Sequence, residues 1–183
     1  MKIGIRALGI DDGPLTQKTL IVGVIMRRDR VEGVLSTRVK RDGNEATKKI
    51  IGMIEKSRFS SQIHVIFLNG VAVAGFNLVD YVKLSEKFKV PVIVVTPNQP
   101  HPRDLEKAVE KWEEKKKIWE RIKKPAYLLE TKLGQIWFQY SGTTKREAEK
   151  LIKHFLIHSK VPEPLRIAHL IAAGIELGES RGL

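Results

Sequence analysis

Lys18-Thr19-Leu20-Ile21-Val22-Gly23-Val24-Ile25-Met26-Arg27 is a run of β-branched and aliphatic residues closed by the short break Arg28-Asp29-Arg30. A run of this composition reads as a strand, and so short a break returns the chain as a hairpin. Its neighbours read alike: residues 2 to 10 before it and 30 to 41 after it are rich in Ile, Val, Leu and Thr. Three strands joined by short links make an antiparallel meander. Beyond it, Asn44-Glu45-Ala46-Thr47 opens a helix to about Phe59, with Ile50, Ile51, Met53 and Ile54 on the apolar side. Ile63 to Leu68 follows as a continuous apolar strand, Asn77 to Lys89 as a helix and Val90 to Val95 as another strand. Strands covered on both faces lose the in/out alternation, and strand, helix, strand crossovers pair them in parallel.

The order is therefore three antiparallel strands followed by α, β, α, β. That is an α/β architecture of ribonuclease H-like type, a mixed sheet with helices on both faces. The remainder reads as mainly helical. A long charged surface helix starts at Pro102 and runs through Arg121, with Trp112, Ile118 and Trp119 forming a narrow apolar stripe. A hairpin around Lys132-Leu133-Gly134-Gln135 carries Ile136 to Tyr140. Thr144 then caps a helix to about Ser159, and Pro162-Glu163-Pro164 precedes a last apolar helix, Leu165 to Leu177. Without repeats or a linker, 183 residues are expected to form one domain spanning 1–183.

Charge points to the partner. There are 33 Lys+Arg against 21 Asp+Glu, a formal net charge of +12, the footprint of a protein that neutralises phosphates. Within that basic background Asp11-Asp12 stands where the first strand breaks at Gly13-Pro14. Carboxylates at a strand end are where phosphodiester hydrolases keep a hard cation such as Mg²⁺, which takes oxygen ligands. No Cys is present, which excludes disulfides, thiolate zinc sites and a cysteine nucleophile. No basic segment leads into an apolar stretch of signal-peptide type, and Ile63 to Leu68 is too short to cross a bilayer. A cytoplasmic protein without membrane contact is expected.

Three motifs fall in order at strand ends: Gly9-Ile10-Asp11, Arg41-Asp42-Gly43 and Leu68-Asn69-Gly70. Their spacing resembles endonuclease V, whose signatures read Gly-Val-Asp, Arg-Glu-Gly and Val-Asp-Gly. The match is closer to the archaeal endonuclease dU relatives of that enzyme. Closest to those relatives are Gly9 to Pro14, Gly70 to Asp80 and the tail Gly178-Glu179-Ser180-Arg181-Gly182. The resemblance implies a metal-dependent cut of DNA beside a deaminated base, deoxyuridine or deoxyinosine, in DNA repair, with RNA as a further substrate class. It implies Asp11 as a metal ligand, with Asp42 as a second acidic group one methylene shorter than the usual Glu. Mg²⁺ is the implied cofactor, with Mn²⁺ as its alternative.

Asn69 departs from the pattern, since it sits where the family places a third Asp and an amide brings no charge. Asp12 and Asp80 are candidate substitutes. Against Asp12, consecutive strand residues face opposite sides of a sheet. After the fifth strand, Thr96-Pro97-Asn98 occupies the place where a basic residue is expected near the scissile phosphate. A catalytically impaired relative that binds nucleic acid without cutting is therefore the alternative, and an excess of Lys serving only solubility is a third.

Blander uses exist for the same residues. Asp11-Asp12-Gly13-Pro14 also suits a turn, and Arg41-Asp42-Gly43-Asn44 suits a turn with an Asx cap. The stretch from Gly70 to Gly75 can cradle phosphate ahead of a helix opened by Asn77, or simply permit close packing. Glu179 and Arg181 can fold back over the sheet, as a carboxylate and a phosphate contact, or stay solvated. Lys115-Lys116-Lys117 suits a solvated helix face. His64 is expected in the core, and His154, His158 and His169 lack the spacing of a zinc site.

Overall fold

The computed structural model describes residues 4–180. β1 (Arg6–Asp12), β2 (Lys18–Arg27) and β3 (Arg30–Lys40) form the expected antiparallel meander, with Arg28-Asp29 as the two-residue turn between the paired Arg27 and Arg30. α1 (Ala46–Glu55) leads to β4 (Val65–Asn69), which lies parallel to β1. A small hairpin, β5 (Ala72–Val73) and β6 (Asn77–Leu78), precedes α2 (Tyr81–Phe88), and β7 (Val92–Thr96) then pairs parallel with β4. After α3 (Pro102–Val109) and α4 (Glu113–Ile122), β8 (Tyr127–Thr131) and β9 (Gly134–Ser141) form a hairpin whose second strand pairs antiparallel with β7. α5 (Lys145–Phe155) and α6 (Glu163–Leu177) close the chain. The sheet order is β3-β2-β1-β4-β7-β9-β8. This is the α/β, ribonuclease H-like arrangement expected, extended at one edge by the β8–β9 hairpin.

The apolar runs are explained by cover on both faces. Leu8, Ile10, Ile21, Ile25, Ile66 and Leu68 pack against residues of α1, α2 and α4, while Phe67, Ile93, Val95 and Phe138 pack against α5. The alternate residues of β2, Leu20, Val22, Val24 and Met26, lie under Ala168 and Ala172 of α6. No described helix is long and apolar enough to cross a membrane.

Four expectations are corrected. The helix read from Asn77 starts only at Tyr81, because Asn77 is buried in β6, where its Nδ2 donates to the Lys40 carbonyl and its Oδ1 accepts from the Ala46 N–H. Asp80 is the N-cap instead, its carboxylate accepting from Lys83 N at 2.8 Å. The helix read from Pro102 through Arg121 is two helices with a break at 110–112. A straight helix of about 20 residues spans about 30 Å, whereas the break folds Val109 and Trp119 into the same core. Lys115 is buried rather than solvated, its Nζ donating to the Asp42 carbonyl. His64 lies just ahead of β4, exposed, with Nδ1 accepting from Arg6 N at 3.2 Å.

Candidate active site

The site is built by the way α6 lies on β1. A side chain at Gly9 would run into the backbone of Pro164 and Leu165, so glycine alone allows the start of α6 to touch the strand. From that contact the two elements run in register. Two residues of strand advance about 6.6 Å and four residues of helix about 6 Å, which brings His169 of α6 level with Asp11 of β1. His169 Nδ1 lies 3.1 Å from Asp11 Oδ2, and as the carboxylate accepts, the imidazole donates. From the end of the parallel neighbour β4, Asn69 Nδ2 donates to Asp11 Oδ1 at 3.0 Å. The Asp12 backbone N–H donates to the same oxygen at 2.9 Å.

Asp11 is thus a carboxylate only 1% exposed, held by an imidazole and an amide. Among the described residues it has no Lys or Arg partner. The hydrogen bond to Asp11, helped by the charges of Asp11 and Asp12 and opposed by burial, holds the His169 pKa above the usual imidazole value.

Asp12 points to the other face, as strand alternation requires. Its Oδ2 accepts from Ala74 N at 2.6 Å, at the tip of the β5–β6 hairpin. Burial is the main reason that its pKa is pushed up to about 6; the Ala74 N–H opposes this and the charge of Asp11 adds to it. Asp42 grips the same tip. Its N–H donates to the Ala74 carbonyl and its Oδ1 accepts from Phe76 N, both at 2.9 Å. Asp42 sits at φ 53 and Gly75 at φ 84, and a side chain at Gly75 would collide with the Asp42 carboxylate. Left-handed backbone favours Gly, Asn and Asp, which accounts for an Asp rather than a longer acid at 42. Arg41 Nε stands 3.4 Å from Asp42 Oδ2, and that side chain is about half exposed.

The structure therefore groups Asp11 with Asn69 and His169, and Asp12 with Asp42 and Gly75. Gly70 follows Asn69 at φ 83. Asp80 is turned away, paired with Arg121 at 3.2 Å, and Glu179 is exposed past the end of α6. Arg181 lies outside the described residues. Among those residues, no three of His, Cys, Asp or Glu are gathered to hold a metal ion. His169 was missed by the sequence reading, which weighed histidines only by their spacing from one another. Gly9, a glycine inside a strand, was the available signal of a close backbone approach.

Two features flank the carboxylates at the same end of the sheet. A cavity of about 580 Å³ opens between the segments after β4 and β7, lined by Val71, Phe76, His101, Trp119 and Gln139. Trp119 is 6% exposed and, among the described residues, its indole N–H has no partner. Along the end of β3, Lys18, Arg38, Lys40, Arg41 and Lys49 line an open groove of about 920 Å³.

Residues 3–176 match the family model described as endonuclease dU. A UPF0215 protein of Methanosarcina mazei is 40% identical over 188 residues, covering 100% of this chain and 96% of that one. A second, from Archaeoglobus fulgidus, is 41% identical over 180 residues, covering 97% of each. Among solved structures, a protein of unknown function from Archaeoglobus fulgidus superposes with a TM-score of 0.85 at 38% identity, covering 93% of this chain and 98% of that one. Endonuclease V of Ciona intestinalis, in complex with DNA containing an inosine followed by a ribo-adenosine, gives a TM-score of 0.60 at 13% identity, covering 90% and 83%. Human ENDOV gives 0.59 at 12% identity, covering 92% and 82%. At such identities the last two show a shared fold.

Proposed function

The chain belongs to the endonuclease dU family, and from that premise we propose that it is a Mg²⁺-dependent endonuclease, with Mn²⁺ as an alternative, cutting a DNA phosphodiester near a deoxyuridine or deoxyinosine in repair. The observation that carries this reading is Asp11, a buried carboxylate at a strand end with no permanent cation beside it among the described residues. Burying a charge is costly unless it is paired. Such a carboxylate, flanked by an amide and an imidazole, fits a site completed by a divalent ion.

Asp11 would hold the ion, and Asn69 would join it by turning its amide so that the oxygen faces inward. A bound divalent ion supplies charge neutralisation at the phosphate and activation of water. The protein does the rest with its own groups. His169, its pKa raised first by the hydrogen bond to Asp11, orients that carboxylate. Asp12 and Asp42 anchor the β5–β6 tip and so fix the loop after Asn69. The basic groove along β3 suits the DNA backbone, and the cavity between the segments after β4 and β7 suits a base stacked on the exposed Phe76.

The second reading, a family member that binds nucleic acid without cutting it, draws on one observation: Asn69 offers a donor to Asp11 where a third carboxylate would bring charge. Asn69→Asp separates the two. In the endonuclease reading the substitution raises Mg²⁺-dependent nicking of uracil- or hypoxanthine-containing duplex, and Asp11→Ala in that background removes the gain. Should neither wild type nor Asn69→Asp nick either substrate in Mg²⁺ or Mn²⁺, the binding reading stands in its place.

A further inference from the structure

The β2–β3 turn lies at the opposite end of the sheet from Asp11, since Arg27 pairs with Arg6, the first residue of β1. The seven residues of β1 place it about 20 Å away. There Arg27, Arg28, Asp29 and Arg30 meet Gly4, Ile157 and His154 around an open cavity of about 780 Å³, with three guanidinium groups against one carboxylate. Glu32 accepts from Arg27 at 2.8 Å, but neither Arg28 nor Arg30 makes an ion pair among the described residues. On the opposite wall, from α5, His154 Nε2 is shut away from water and has no hydrogen-bond partner among the described residues.

The turn itself resists its sequence. Arg28 sits at φ 58, the first position of a two-residue hairpin, where glycine or asparagine is the unstrained choice. An arginine held in left-handed backbone beside two others and an orphaned imidazole nitrogen is the kind of local strain that accompanies a binding site.

We propose that this cavity is a second ligand site, separate from Asp11, that binds a terminal phosphate monoester. The guanidinium forks of Arg28 and Arg30 match phosphate oxygens, and His154, whose Nε2–H is sealed until the ring turns toward the cavity, supplies a third donor deeper in the wall. A terminal phosphate has three free oxygens for these three partners. An internal phosphodiester has two, and the flanking sugars hold it away from a recessed nitrogen. Burial, and then the charge of Arg28, keep the His154 pKa below the usual imidazole value. The monoester can come from a free nucleotide or from a 5′-phosphorylated strand end.

The test uses the full chain and titration calorimetry with inorganic phosphate, thymidine 5′-phosphate, thymidine, and short oligothymidylates with 5′-phosphate or 5′-hydroxyl ends. Phosphate and thymidine 5′-phosphate should bind and thymidine should not. Arg28→Gly, which also relieves the turn, and Arg30→Gln should each weaken binding by about tenfold, the order expected for one charge-assisted hydrogen bond. The His154 ring resonances should shift on saturation, and Asp11→Ala should bind as wild type does. Tighter binding of the 5′-phosphorylated oligothymidylate than of its 5′-hydroxyl counterpart assigns the strand end as source, and equal binding of the two assigns the nucleotide. The proposal is overturned if phosphate does not bind, or if Arg28→Gly and Arg30→Gln bind it unchanged.

Discussion

Asp11 and Asp12 adjoin in sequence yet meet different partners, His169 and Asn69 on one side and the Ala74 N–H on the other. Asp12 offers a measurable consequence. Its pKa is about 6 in the folded chain against an ordinary value of 3.8. A carboxyl that binds its proton more tightly when folded costs stability above pH 6, and that cost fades as pH falls from 6 to 4. Two units correspond to about 3 kcal/mol at most. Asp12→Asn keeps an oxygen for the Ala74 N–H. Urea unfolding should find it about 1–3 kcal/mol more stable than wild type at pH 7 and nearly equal to it at pH 4; a constant difference between those pH values would refute the assignment. The alternation of facing was legible in the sequence, because it follows from strand geometry alone. The tie from Asp11 to His169 was not, since a sequence separation of 158 is bridged only by the way one helix packs.

That packing belongs to the scale of elements. α6 reaches β1 only because Gly9 has no side chain, and the same contact sets the register that carries His169 to Asp11. Gly9→Val should push the helix off the strand. Overpacking costs about 1–3 kcal/mol, and more where backbone is struck. Thermal unfolding should show the loss, and the His169 imidazole should titrate at lower pH once separated from Asp11; an unchanged His169 titration would show that Gly9 does not set the register. The β1–β3 meander and the parallel strands β4 and β7 were readable from the sequence because β1, β2, β4 and β7 are apolar runs and the β2–β3 link is tight. The break between α3 and α4 was not, as charged residues run through it and only the burial of Val109 and Trp119 in one core demands it. Nor was the β5–β6 hairpin, four paired residues whose place is fixed by distant contacts from Asp12 and Asp42.

For the whole molecule the net charge of +12 sets the expectation for DNA. If the groove along β3 takes the backbone, affinity should fall linearly on a log-log plot against salt, with a slope of about −0.9 per phosphate neutralised on duplex. Lys40→Glu together with Lys49→Glu should flatten that slope, and fluorescence anisotropy across a salt series reads both. Charge was plain from composition, whereas its concentration beside the strand ends came only with the fold. The central claim is that Asp11 is the anchor of a metal-dependent nuclease site, and a nicking assay tests it most directly. Uracil- and hypoxanthine-containing duplexes are incubated with wild type and with Asp11→Ala, in Mg²⁺, in Mn²⁺ and in chelator. The account predicts nicks beside the deaminated base with either metal, none in chelator, and a loss of about a hundredfold or more in Asp11→Ala. Nicking by Asp11→Ala at the wild-type rate, or undiminished nicking in chelator, would contradict it.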